Sequence, residues 1–162
     1  MFIVNSRAII ERSVGISTEI VIQTRVKPNE PLSLELPGGR IEPYESLTQA
    51  LRREVMEETG LDIYEIEGED LRIDTAGITD SFVVECIRPF AAYQTIKGPI
   101  DSIGYYFRCK ANGELLPSGD GTAGIRWIAV TDLKQMMDED PLQFSNVDRA
   151  GILFYLQSLD AG

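Results

Sequence analysis

The sequence predicts an α/β fold, and three observations predict it. Alternating apolar and polar residues recur along the chain, as they do in half-buried strands. Two stretches, 46–60 and 146–159, instead carry apolar residues at helical spacing. The third is size: 162 residues with 43% hydrophobic content suffice for one domain, residues 1–162, with a sizeable core.

Residues 7–10 and 19–26 read as strands, the second with Ile20, Ile22 and Thr24 alternating against Val21 and Gln23. Lys27-Pro28-Asn29-Glu30-Pro31 is a turn. Leu32, Leu34 and Leu36 then alternate with Ser33 and Glu35, a half-buried strand that runs into a turn at Pro37-Gly38-Gly39. Residues 62–71 are acidic and read as a loop or irregular strand; 72–78 and 82–87 read as strands. Residues 103–110 (IGYYFRCK) are the aromatic-rich candidate for a central strand. A glycine-rich loop (118–124), a strand (125–130) and a helix capped by Thr131 follow. A closing helix from Asn146 would bury Val147, Ala150, Leu153, Phe154 and Leu156.

The chain is organised around residues 39–61, GRIEPYESLTQALRREVMEETGL. Ser46 with Gln49 three residues on is a capping-box start, and Gly60 suits a left-handed helix stop. Between them Leu47, Ala50, Leu51 and Val55 form a buried stripe. Glu54, Glu57 and Glu58 stand at i, i+3 and i+4, so their carboxylates share one face. Taken alone, such a cluster is more often a solvated acidic face, and exposed like-charge pairs cost only about 0.2–0.5 kcal/mol. In a cleft the repulsion would need a proton or a cation, and hard oxygens on a rigid helix suit Mg²⁺ or Mn²⁺.

Composition narrows the classes. A net charge of −11 argues against general nucleic-acid binding, which needs a basic surface. It leaves anionic substrates open, because bound metal supplies positive charge. With no histidine and only Cys86 and Cys109, the usual zinc centres and every histidine-based triad are out. No long apolar run indicates a membrane span, and the chain reads as cytoplasmic.

The spacing of the central stretch resembles the signature of the Nudix hydrolases, G-x5-E-x7-R-E-U-x-E-E-x-G-U with U a bulky aliphatic residue. It matches at Gly39, Glu45, Arg53, Glu54, Val55, Glu57, Glu58, Gly60 and Leu61. A chance match is on the order of one in a billion per start position. Leu36-Pro37-Gly38 resembles the family's lead-in, and Ile125-Arg126-Trp127-Ile128 its late strand. The resemblance implies an α/β/α sandwich with a mixed sheet, hydrolysing a nucleoside diphosphate linked to another moiety with Mg²⁺ or Mn²⁺. It implies Glu54, Glu57 and Glu58 as metal ligands with the Gly38 carbonyl, and Arg53 with Glu45 as a supporting pair. Glu54 or Glu57 would polarise the attacking water. Where many relatives carry a further acid ahead of the late strand, this chain has Ala123-Gly124, leaving Asp120 as the nearest candidate. In its Gly-Asp-Gly setting, a solvated turn aspartate is the stronger reading of Asp120.

Residues 75–81 (TAGITDS) are similar to a segment of ADP-ribose pyrophosphatases, with Ala76 and Ser81 departing from it. Phe90, Tyr93, Tyr105 and Phe107 could stack a base, though strand aromatics are more often core; Arg25, Arg40 and Lys97 could meet phosphates. The competing reading is a non-catalytic Nudix-fold nucleotide sensor, whose signature is usually eroded and joined to a DNA-binding domain. An isomerase on the same fold would need the histidine this chain lacks. A homodimer is compatible with the strand-rich N-terminus.

Overall fold

The computed structural model describes residues 1–161. Strands β1 (Phe2–Val14), β2 (Ser17–Arg25), β3 (Ser33–Glu35) and β4 (Gly38–Arg40) lead into helix α1 (Leu47–Thr59). Six strands follow: β5 (Asp62–Ile66), β6 (Ile73–Asp74), β7 (Glu85–Cys86), β8 (Ala91–Gln94), β9 (Asp101–Asn112) and β10 (Ser118–Gly119). The chain then runs through β11 (Thr122–Ala129), α2 (Val130–Glu139) and α3 (Asn146–Ala161).

The main sheet has the order β10-β11-β2-β1-β9-β5, with β3 added to β2, β4 to β1 and β8 to β9. It is mixed: β1 and β9 run parallel from Phe2 beside Asp101 to Ile10 beside Cys109, and the other pairings are antiparallel. Its inner strands are covered on both faces, so they read as nearly continuous apolar runs. Ala8, Ile10, Val21 and Phe107 pack with Leu51 and Val55 of α1. Ile9, Ile20, Ile22 and Tyr106 pack with Leu133 of α2 and Ile152 and Tyr155 of α3. The result is an α/β/α sandwich.

One departure from a regular sheet places the site. β1 and β2 pair between Glu11–Val14 and Ser17–Ile20, then diverge. Beyond that point β4 lies beside Asn5–Arg7 and β3 beside Gln23–Arg25. The split opens a wedge that α1 closes from one side.

The structure corrects several expectations. Residues 38–40 are a strand, not a turn, because Gly38, lacking a Cβ, can press against β1: a Cβ there would lie 2.5 Å from the Ser6 carbonyl oxygen. The strand with Glu35 is covered on both sides, so Glu35 is buried rather than solvent-facing. Strand β9 continues to Asn112, and the glycine-rich 118–124 stretch forms the β10–β11 hairpin. Between β6 and β7, residues 75–84 form a loop instead of extending both strands. Thr131 lies inside α2, whose N-cap is Ala129.

The buried stripe of α3 is Asp148, Gly151, Ile152, Tyr155 and Leu156, with Leu153 and Phe154 about half exposed. The helix is rotated from the apolar expectation because Asp148 turns inward to Arg7. Its first-turn cap is Ser145, whose hydroxyl accepts the Asp148 amide at 3.3 Å. Among the described residues, no helix is long and apolar enough to cross a membrane.

Candidate active site

Helix α1 is fixed at both ends. Ser46 and Gln49 form the reciprocal capping box, and Gly60 closes the helix at φ 80°, donating to the Met56 carbonyl. Glu85 of β7 adds a second cap, accepting the Leu47 amide at 2.9 Å while Arg72 holds the other carboxylate oxygen at 2.9 Å. Ala50, Leu51 and Val55 are fully buried beneath. The face bearing the glutamates is therefore carried on a rigid element.

Arg53 organises that face. Its Nε and Nη2 donate to the two Glu45 oxygens at 2.8 and 2.9 Å, and Nη2 also reaches the Arg40 carbonyl at 3.2 Å. Its Nη1 donates to Glu54 at 2.9 Å and stands 3.6 Å from Glu57. The bidentate fork leaves little freedom of orientation. The Arg53 hydrogen bonds hold the Glu45 carboxyl below its ordinary range. Burial dominates at Glu54 and pushes its carboxyl up, against the pull of Arg53.

Glu54 rests against Gly39, where a Cβ would meet its carboxylate carbon at 2.7 Å. Glu57 is about half exposed, the most open of the three. Glu58 turns into the wedge and is buried; its Oε1 accepts the Gly38 amide at 2.8 Å and the Gln23 side-chain amide at 3.1 Å. Burial raises its carboxyl to about 7, although both donors and Arg7 oppose the shift.

The structure thus gathers Gly38, Gly39, Glu45, Arg53, Glu54, Glu57 and Glu58 around one helix face. Asp120 sits exposed at the tip of the β10–β11 hairpin, and its amide approaches the Glu57 carbonyl at 3.4 Å. The hairpin is pressed onto the end of α1: a Cβ on Gly119 would lie 2.2 Å from the Glu58 carbonyl oxygen. Among the described residues, no three acidic or thiol side chains converge closely enough to hold a metal ion as they stand. The carboxylates face Arg53, Gly38 and Gln23 instead.

Other candidates fall elsewhere. Phe107 is core, Tyr105 packs against it, and Phe90 lies edge-on to Phe154 and Tyr155. Tyr93 is tied to Asn5 and Ser102. Arg25 is paired with Glu30 at 2.8 Å.

Sequence reasoning missed a buried polar network in the wedge. Arg7 binds Asp148 through Nε at 2.7 Å and Nη2 at 2.9 Å, and the Leu36 carbonyl at 2.6 Å. Its guanidinium also stands 3.6 Å from Glu35, whose carboxyl burial raises despite that cation. Gln23 donates to Glu35 and Glu58, both at 3.1 Å. The available signal was polar Gln23 and Glu35 at inward positions of otherwise apolar strands.

The chain matches the model of the NUDIX domain over residues 7–147. No curated protein matches it. Among solved structures it resembles a NUDIX hydrolase from Nitrosomonas europaea (TM-score 0.66, 17% identity), covering 100% of this chain and 90% of that one. It also resembles the E. coli ORF135 protein (TM-score 0.64, 21% identity), covering 99% and 91%. A third is the NUDIX domain of Shewanella oneidensis NrtR, complexed with ADP ribose (TM-score 0.60, 14% identity), covering 99% and 88%. These likenesses give the fold, and the domain match across most of the chain gives the family: this protein belongs to the NUDIX family.

Proposed function

We propose that this protein is a divalent-metal-dependent pyrophosphohydrolase. It would cleave a nucleoside diphosphate linked to a further group, either a nucleotide sugar such as ADP-ribose or a nucleoside triphosphate. One observation carries the reading: Arg53, clamped by Glu45, holds Glu54 against Gly39 on the helix face that also bears Glu57 and Glu58. A purely solvated acidic face would not need the clamp or the glycine niche.

The donor set fits a hard divalent cation. Glu54, Glu57 and Glu58 offer carboxylate oxygens, and burial of Glu58 disfavours its ionised form, a cost that a bound cation would offset. These three residues, with the Gly38 carbonyl, would hold it. When bound, Mg²⁺ or Mn²⁺ supplies polarisation of phosphate oxygens and a bound water of lowered pKa. The chain's own groups do the rest. Arg53 fixes the Glu54 carboxylate and, through Arg40 and Glu45, the loop before α1. Glu54 or Glu57 accepts the proton of the attacking water. No histidine or cysteine nucleophile is required, which agrees with a chain without histidine. Asp120, beside the end of α1, is the candidate for a fourth acid. Two unpaired cysteines, one exposed, suit a reducing compartment such as the cytoplasm.

The test is turnover of a nucleotide panel with Mg²⁺ or Mn²⁺: ADP-ribose, other nucleotide sugars, dinucleoside polyphosphates, NADH, canonical and oxidised triphosphates, and capped RNA. One member should be hydrolysed, and Glu57→Gln should lower kcat by several orders of magnitude while the fold persists. Near-normal activity of Glu57→Gln in saturating Mg²⁺ would remove the assignment of the site. Tight metal-dependent nucleotide binding without turnover would point instead to a sensor.

A further inference from the structure

The wedge between β1 and β2 holds one polar atom without a partner. Gln23 is fully buried, and its Oε1 is the one buried side-chain N or O atom among the described residues with no hydrogen-bond partner. The amide orientation is fixed by chemistry. Nε2 lies 3.1 Å from both Glu35 Oε1 and Glu58 Oε1, and with both acids ionised only the NH₂ end can face them. Turning the amide over would satisfy neither acid. The orphaned carbonyl is thus accepted for the sake of the two hydrogen bonds.

Those bonds form a relay that reaches one of the proposed ligands. Asp148 on α3 fixes Arg7; Arg7 stands beside Glu35; Glu35 accepts from Gln23; Gln23 donates to Glu58. The Gly38 amide binds the same Glu58 oxygen at 2.8 Å, leaving Oε2 free of both of these donors. Partners of this kind orient the side chains that ligate metals, and their loss commonly weakens affinity about 10–100-fold.

We propose that Gln23 and Glu35 are positioning residues for cation binding at α1, acting through Glu58. The inference rests on the metal-dependent reading above. Gln23 holds the Glu58 carboxylate in one orientation, and Glu35 holds the Gln23 amide so that its NH₂ faces Glu58. Both residues are buried in the wedge behind Glu58.

The experiment is Mn²⁺ binding to the whole protein, followed by electron paramagnetic resonance of the free ion, in wild type, Gln23→Met, Glu35→Gln, the double variant and Glu57→Gln. Gln23→Met removes the NH₂ donor at nearly constant volume, and should weaken Mn²⁺ binding about 10–100-fold. Glu35→Gln can donate to the orphaned Gln23 carbonyl and turn the amide away from Glu58, so it should weaken binding as well. It should add little in the Gln23→Met background, because both changes break the same relay. Unchanged affinity in folded Gln23→Met, or full additivity in the double variant, would overturn the proposal while leaving the metal reading intact. If Gln23→Met fails to fold, unchanged affinity in Glu35→Gln does the same. Absence of Mn²⁺ binding in wild type, or binding that Glu57→Gln leaves unaltered, would overturn the metal reading and the proposal together.

Discussion

Glu54 occupies the space a side chain at residue 39 would need: a Cβ built on Gly39 falls 2.7 Å from the Glu54 carboxylate carbon and 2.8 Å from each oxygen. Gly39 is not among the residues with positive φ, so its backbone alone would tolerate alanine. The requirement for glycine is steric and is imposed by Glu54.

Gly39→Ala should therefore act on the site more than on the fold. The added methyl must displace Glu54 from its place beside Arg53, and a misplacement of about 1 Å can cost about 100-fold in rate. The overlap itself should cost stability by about 1–3 kcal/mol. Steady-state kinetics on the substrate found by the panel, set beside thermal unfolding, checks both. Wild-type kcat in Gly39→Ala would show that Glu54 does not need this position.

The Arg7–Asp148 pair should be a large contributor to stability through the cost of breaking it. Asp148 is fully buried and accepts from Arg7 twice, from the Leu36 amide at 2.8 Å and from Tyr106 at 3.0 Å. Burial opposes the Arg7 charge, but Asp148 and Glu35 hold the guanidinium firmly protonated. Asp148→Asn removes the buried charge that pairs with Arg7 and turns one accepting oxygen into an NH₂, and should cost about 3–5 kcal/mol in urea unfolding. Arg7→Met combined with Asp148→Asn should cost clearly less than the sum of the single changes. Additive losses would mean the two residues are not coupled.

Glu58 gives the fold a pH dependence of unusual sign for a carboxylate. Its folded-state value of about 7 lies above the ordinary 4.5, so the folded state binds more protons than the unfolded one between those limits. Stability is then highest below about 4.5 with respect to this group, and falls as pH rises through about 7, by on the order of a few kcal/mol. Glu35, also raised by burial, contributes in the same direction. Unfolding measured with chelator from pH 5 to 8 should show Tm decreasing, and Glu58→Gln should flatten that slope. A Tm that rises across this range in wild type would contradict the dominance of burial over hydrogen bonding at Glu58.

Local features of α1 were legible because they rest on neighbours in sequence. Ser46 with Gln49, the left-handed Gly60, and the stripe of Ala50, Leu51 and Val55 each depend on residues within about two turns. The α3 stripe was not, since apolar spacing pointed to Leu153 and Phe154 while the helix turns Asp148 inward instead. That rotation depends on Arg7, 141 positions earlier in the chain, which periodicity cannot sense. The burial of Glu35 is hidden for a related reason: alternation tells which residues share a face, not whether another layer covers that face.

By itself, the sequence determined the α/β class, the helix with its three glutamates on one face, and the family signature around Gly39. Those properties follow from spacing and short-range sterics. Only the tertiary structure decided that the sheet splits between β1 and β2, that Glu58 points into the split while Glu57 faces solvent, and that Gln23, Glu35, Arg7 and Asp148 form one buried network behind it. The physical reason is that charges far apart in sequence must be partnered once they are buried together, and which charges meet is set by how the strands diverge.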